Sequence, residues 1–166
     1  NTTTYAEAAM QIWNFAELGY QEYQSSALLQ KTLKDAGFKI STGVAGMPTA
    51  FIAEYGSGKP IIGILGEYDA LPGLSQAIVP EEKPIEAGEP GHGCGHHLFG
   101  VGSAAAAIAV SEWLTKTKTT GTIRYYGTPA EEGGGGKTYM VKAGLFDNVD
   151  AVLHWHPSNN NSANAS

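Results

Sequence analysis

Three short apolar runs, at residues 61–65, 122–127 and 149–153, alternate with helical stretches along this chain, and each is followed by side chains that carry chemistry. Glu67 and Asp69 follow the first run, Glu131 and Glu132 the second, and His154 and His156 the third. The run at 61–65 is short, β-branched and flanked by turn residues, as a strand buried on both faces should be. Strands alternating with helices predict a layered α/β fold, with a mostly parallel sheet flanked by helices. In such sheets ligands bind beyond the carboxyl ends of the strands, so the three polar groups are expected to converge there.

The local pattern fills in the rest. Thr4-Tyr5-Ala6-Glu7 has the form of a capping box and predicts a helix from there to about Leu18. A second helix starts at Ser25 or Ser26 and closes at Ala36-Gly37. Residues 49–55 read as a strand, which Gly56-Ser57-Gly58-Lys59-Pro60 turns into the strand at 61–65. Residues 70–90 hold four prolines without a clear period and predict a long loop, of the kind that is usually functional. Residues 101–116 form an Ala-rich helix, and residues 137–143 a short one stopped by Gly144. Residues 158–166 contain only Asn, Ser and Ala and read as a junction or tail.

Composition excludes several classes. A chain of 166 residues with 42% hydrophobic content can bury a core, which argues against disorder. The net charge is −6 and no basic run occurs, so nucleic acid is not an expected partner. No apolar run reads as a membrane span of ~20 residues, so no membrane role is expected either. The single cysteine rules out a disulfide scaffold. It leaves the compartment open, with the cytoplasm preferred to secretion.

That cysteine stands in Gly91-His92-Gly93-Cys94-Gly95-His96-His97. Thiolate and imidazole are preferred ligands of zinc-like ions, and the glycines let the backbone bend around one. Cys94 and His96 are therefore candidate metal ligands. Adjacent carboxylates are usually solvated surface, but Glu131-Glu132 lies after an apolar strand and before four glycines, which argues against that reading. His154 and His156 alternate along a strand, so at most one of them is expected to face a common site. Asp69 could also simply initiate a turn. His92 and His97 could support the ligands, contact substrate or be loop residues. The run Gly133-Gly134-Gly135-Gly136-Lys137-Thr138 ends like a phosphate-binding loop, but the first glycine of that pattern would fall at Glu131. Two carboxylates at its entrance would also repel phosphate.

At these residues the chain resembles the amidohydrolase branch of the aminoacylase-type di-metal peptidases, which includes the plant indole-acetyl-amino-acid hydrolases. The matching stretches are Gly66-Glu67-Tyr68-Asp69-Ala70-Leu71, Gly91 to His96, Pro129-Ala130-Glu131-Glu132-Gly133-Gly134 and Trp155-His156-Pro157. The resemblance implies that Cys94, His96, Glu132 and His156 are metal ligands and that His154 is not. It implies that Glu131 is the general base and Asp69 an orienting carboxylate. Glu67 stands where related peptidases place a histidine ligand, so it either touches a metal or supports the site. His97 stands where many relatives have Asp or Asn.

The implied cofactors are two divalent ions, zinc or manganese. The implied substrate is a small N-acyl amino acid or dipeptide-like amide. For the full-length protein the resemblance implies a homodimer or oligomer. Residues 1–157 then correspond to the N-terminal part of a catalytic domain, and residues 158–166 lead towards a lid and dimerisation domain. A catalytically silent metal-binding or assembly subunit is the alternative.

Overall fold

The computed structural model describes residues 2–163. The elements run α1 (Thr2–Phe15), α2 (Tyr23–Asp35), β1 (Lys39–Thr42), a 3₁₀ turn (Val44–Gly46), β2 (Phe51–Ser57), β3 (Ile61–Gly66), α3 (His96–Thr117), β4 (Gly121–Gly127), α4 (Gly136–Lys142) and β5 (Ala151–Leu153). The last three residues of the 158–166 tail lie outside the described residues.

The five strands form one sheet in the order β1-β2-β4-β3-β5. The layered α/β architecture is the expected one, and the sheet is mixed. β4, β3 and β5 run parallel, and they are the strands that lead into the polar groups. β1 and β2 are antiparallel to each other, and β2 is antiparallel to β4. β2 and β3 are joined by the expected turn, yet they are not neighbours, because β4 lies between them. β4 takes that central place because it buries side chains on both faces. Ile123 and Tyr125 meet one core, and Tyr126 meets the other.

Helices α1, α2 and α3 cover one face of the sheet. Ile12, Leu29, Leu33, Phe99, Ala104 and Ala107 pack there against Phe51, Ile123 and Tyr125. Each fully buried large side chain of this kind contributes about 1.5–3 kcal/mol. On the opposite face, Met140 of α4 packs with Met47, Ala50 and Tyr126.

Several boundaries differ from expectation, among them three helix starts and the end of α1, which stops at Phe15 rather than near Leu18. α1 begins at Thr2, so the Thr4–Glu7 box lies inside the helix and does not cap it. α2 begins at Tyr23, ahead of the serines. α3 begins at His96 rather than at 101, because Gly95 adopts a left-handed conformation (φ 81°) and turns the chain into the helix there. At 22 residues, α3 is long and apolar enough to span a membrane by composition, contrary to expectation. It packs instead against α1, α2 and the sheet.

Close approach of α3 to β3 fixes the site. A Cβ at Gly100 would lie 2.6 Å from the Glu67 carbonyl oxygen, so only glycine allows this spacing. The Tyr125 hydroxyl donates to the Gly100 carbonyl at 3.2 Å and ties the helix to β4. The residues after β3 form a closed excursion. Leu71 and Gly91 exchange backbone hydrogen bonds at 2.9 and 3.0 Å, bringing the chain back beside its starting point just before Cys94.

Candidate metal centre

His96 opens α3 and is 1% exposed. Its Nδ1 lies 2.8 Å from Asp69 Oδ1. The other oxygen of Asp69 accepts the Glu132 backbone N–H at 2.9 Å. One carboxylate thus joins the end of β3, the start of α3 and the loop after β4. With Nδ1 held by Asp69, Nε2 is the nitrogen that faces the centre.

Nε2 faces acceptors and has no hydrogen-bond partner. It is buried, and Glu67 Oε2, 2.9 Å away, lies outside hydrogen-bonding geometry. Glu132 Oε1 is 3.9 Å from Nε2 and is likewise buried without a partner. Cys94 Sγ lies 3.3 Å from His156 Nε2. The donor atoms of Cys94, His96 and His156 all lie within 4.8 Å of one another, as do those of Glu67, His96 and Glu131. All six sequence-predicted site residues therefore meet here, Glu131 at the exposed side.

His154 departs from expectation. The chain has left the strand after Leu153, so strand alternation does not separate the two histidines. His154 Nε2 comes within 3.8 Å of Glu67 Oε1 while His156 reaches Cys94. Both histidines face the centre.

Charge follows the geometry. Burial would lower the His96 pKa, but Asp69 and Glu67 outweigh it and raise it to about 10. Burial, with Glu132, Glu131 and Glu67 nearby, pushes the Cys94 thiol up to about 12. Burial raises Glu67, yet His96 and Lys137 hold its carboxyl below the ordinary value. His92 and His97 are pushed down to about 4, chiefly by burial. They lie beneath the loop beside Trp13, and His92 Nε2 contacts the Ile12 carbonyl at 3.0 Å. Each has a buried Nδ1 without a hydrogen-bond partner, and neither joins a donor group among the described residues.

Two residues of the centre escape sequence reasoning. Lys137 pairs with Glu67 Oε1. Its only sequence signal is the glycine run before it, which suggests phosphate. Buried Glu22 accepts the Ala130 N–H at 2.8 Å and the Thr49 hydroxyl at 2.9 Å. It thereby holds Ala130 at φ 55°, a costly conformation for a non-glycine residue, immediately before Glu131. At the start of α2, Glu22 resembles an ordinary solvated carboxylate.

Residues 63–165 match the model of peptidase family M20/M25/M40. The chain belongs to this family. It is 51% identical to a subunit of the p-aminobenzoyl-glutamate hydrolase of Escherichia coli (strain K12) over 154 residues, 92% of this chain and 32% of that protein. It is 35% identical to Xaa-Arg dipeptidase of Homo sapiens over 92% of this chain and 35% of that protein. The fold is similar to that of the Bacillus subtilis YXEP protein, a dinuclear metal binding peptidase of the M20 family. That likeness has a TM-score of 0.80 at 25% identity, over 94% of this chain and 43% of that one. The chain thus spans about a third of the length of these curated relatives.

The M20 resemblance raises a pair of metal ions, and the donor set fits them. Thiol, imidazole and carboxylate are all common ligands of divalent metal ions. The unpartnered, buried His96 Nε2 and Glu132 Oε1 are what an ion would satisfy.

Proposed function

We propose that the protein containing this chain is a metal-dependent amidohydrolase that cleaves the amide bond of an N-acyl or aryl-amide amino acid, of the p-aminobenzoyl-glutamate type. The observation that carries this reading is the convergence of Cys94, His96 and His156 donor atoms within 4.8 Å beside two adjacent glutamates. A purely structural ion site needs no free carboxylate next to it, which weighs against a catalytically silent role. The names of the two curated relatives, a p-aminobenzoyl-glutamate hydrolase and a dipeptidase, support the substrate class.

In this reading Cys94, His96, Glu132 and His156 are ion ligands. Two divalent ions, zinc or manganese, would polarise the amide carbonyl and bring the pKa of a coordinated water towards neutrality. Glu131, at the exposed side and near His96, is placed to act as general base and would take a proton from the attacking water and pass it to the leaving amine. Asp69 fixes the His96 ring and holds the Glu132 backbone, which ties the start of α3 to the loop that bears Glu131. Glu22 keeps that loop in its strained turn.

Glu131→Gln in the intact protein tests the role. Turnover of p-aminobenzoyl-glutamate should fall by roughly 10²–10⁴-fold while ion content stays the same. Unchanged turnover would rule Glu131 out as the base.

A further inference from the structure

Lys137 has no part in the chemistry above. Among the described residues, it is the one lysine or arginine whose ion pair involves a carboxylate of the centre, the others pairing with Asp35, Asp150 and Glu54. Its side chain is 28% exposed and reaches inward to Glu67, which is 3% exposed. A Cβ at Gly136 would meet the Pro129 carbonyl oxygen at 2.1 Å, so the start of α4 lies tight against the loop bearing Glu131 and Glu132. The lysine stem is thereby set beside that loop.

The contrast with Asp69 is informative. Asp69 touches the far nitrogen of His96 and leaves the inward nitrogen facing Glu67 Oε2 and Glu132 Oε1. Lys137 instead takes an oxygen of Glu67 that faces the centre, the same Oε1 that lies 3.8 Å from His154 Nε2. Glu67 also belongs to the donor group with His96 and Glu131. The ammonium thus occupies one of the two Glu67 oxygens, and the other, Oε2, lies 2.9 Å from His96 Nε2.

We propose that Lys137 is a tethered cation that competes with a metal ion for the Glu67 flank, so that the two ion positions fill in order. The inference rests on the two-ion reading. The Cys94–His96–His156 group fills first, since no lysine touches it. The Glu67 flank fills second and more weakly, because the incoming ion meets a like charge and must displace the ammonium. The four-carbon stem of lysine lets that ammonium swing out towards solvent.

Calorimetric titration of the intact, metal-stripped protein with zinc chloride tests this. The natural protein should show two unequal steps. Lys137→Met should tighten the second step by roughly tenfold to a hundredfold, the range that partners of metal ligands usually command, and leave the first unchanged. Lys137→Arg keeps the charge and should keep the inequality. A second step that is unchanged or weaker in Lys137→Met, with the first intact, would overturn the proposal and make Lys137 a support for Glu67. If the natural protein binds no zinc at all, the two-ion reading falls and this inference with it.

Discussion

Asp69 Oδ1 lies 2.8 Å from His96 Nδ1, and this contact decides which nitrogen of His96 faces the centre. The same carboxylate accepts the Glu132 N–H at 2.9 Å. Asp69→Asn keeps the shape and removes the charge. It should weaken ion binding by roughly 10–100-fold, as loss of a ligand's orienting partner usually does. Calorimetric titration with zinc reads this directly, and an affinity equal to that of the natural protein would contradict the orienting role.

Ion binding should release protons. His96 is raised to about 10 and Cys94 to about 12, so at pH 7 both carry a proton in the ion-free chain. An ion needs both deprotonated, so the first ion should displace about two protons, and apparent affinity should climb with pH. Titrations at pH 7 in two buffers of different ionisation heat give the number. The sign for the ion-free fold is the opposite. The raised His96 contributes stability that is fully present below about 6.5 and is lost as pH rises through about 10.

Gly100 sets the distance between α3 and β3. Gly100→Ala would place a Cβ 2.6 Å from the Glu67 carbonyl and push the helix away. The expected cost is about 1–3 kcal/mol in urea unfolding. Because His96 opens the same helix, zinc affinity should fall as well. A variant with unchanged stability and affinity would show that the approach is not rigid.

Glu22 holds the turn before Glu131 through Ala130. Glu22→Ala leaves the Ala130 N–H and the Thr49 hydroxyl without their acceptor. The expected loss is about 1–3 kcal/mol in stability, with a fall in turnover larger than any fall in ion content. Parallel melts, elemental analysis and rates on p-aminobenzoyl-glutamate separate the two effects.

Much of this arrangement is legible in the sequence. The strands that lead into the centre are β-branched apolar runs bounded by turn residues, and polar residues at their ends follow from the α/β topology. β1 is not legible, because Lys39–Thr42 is short and mostly exposed and carries no alternating pattern. The start of α3 is hidden because His96 and His97 are polar, although both are buried. The alternation rule misplaces His154 because the strand ends at Leu153, one residue before it. Glu22 and Lys137 look like surface charges in sequence, and only the packing of distant segments turns them inward.

The most direct test of the metal centre is elemental analysis of the intact protein beside its Cys94→Ser variant, both grown with zinc and manganese supplied. The account predicts near two ions per chain in the natural protein and a clear loss in the variant. No stoichiometric metal in the natural protein, or the same content in both, would contradict it.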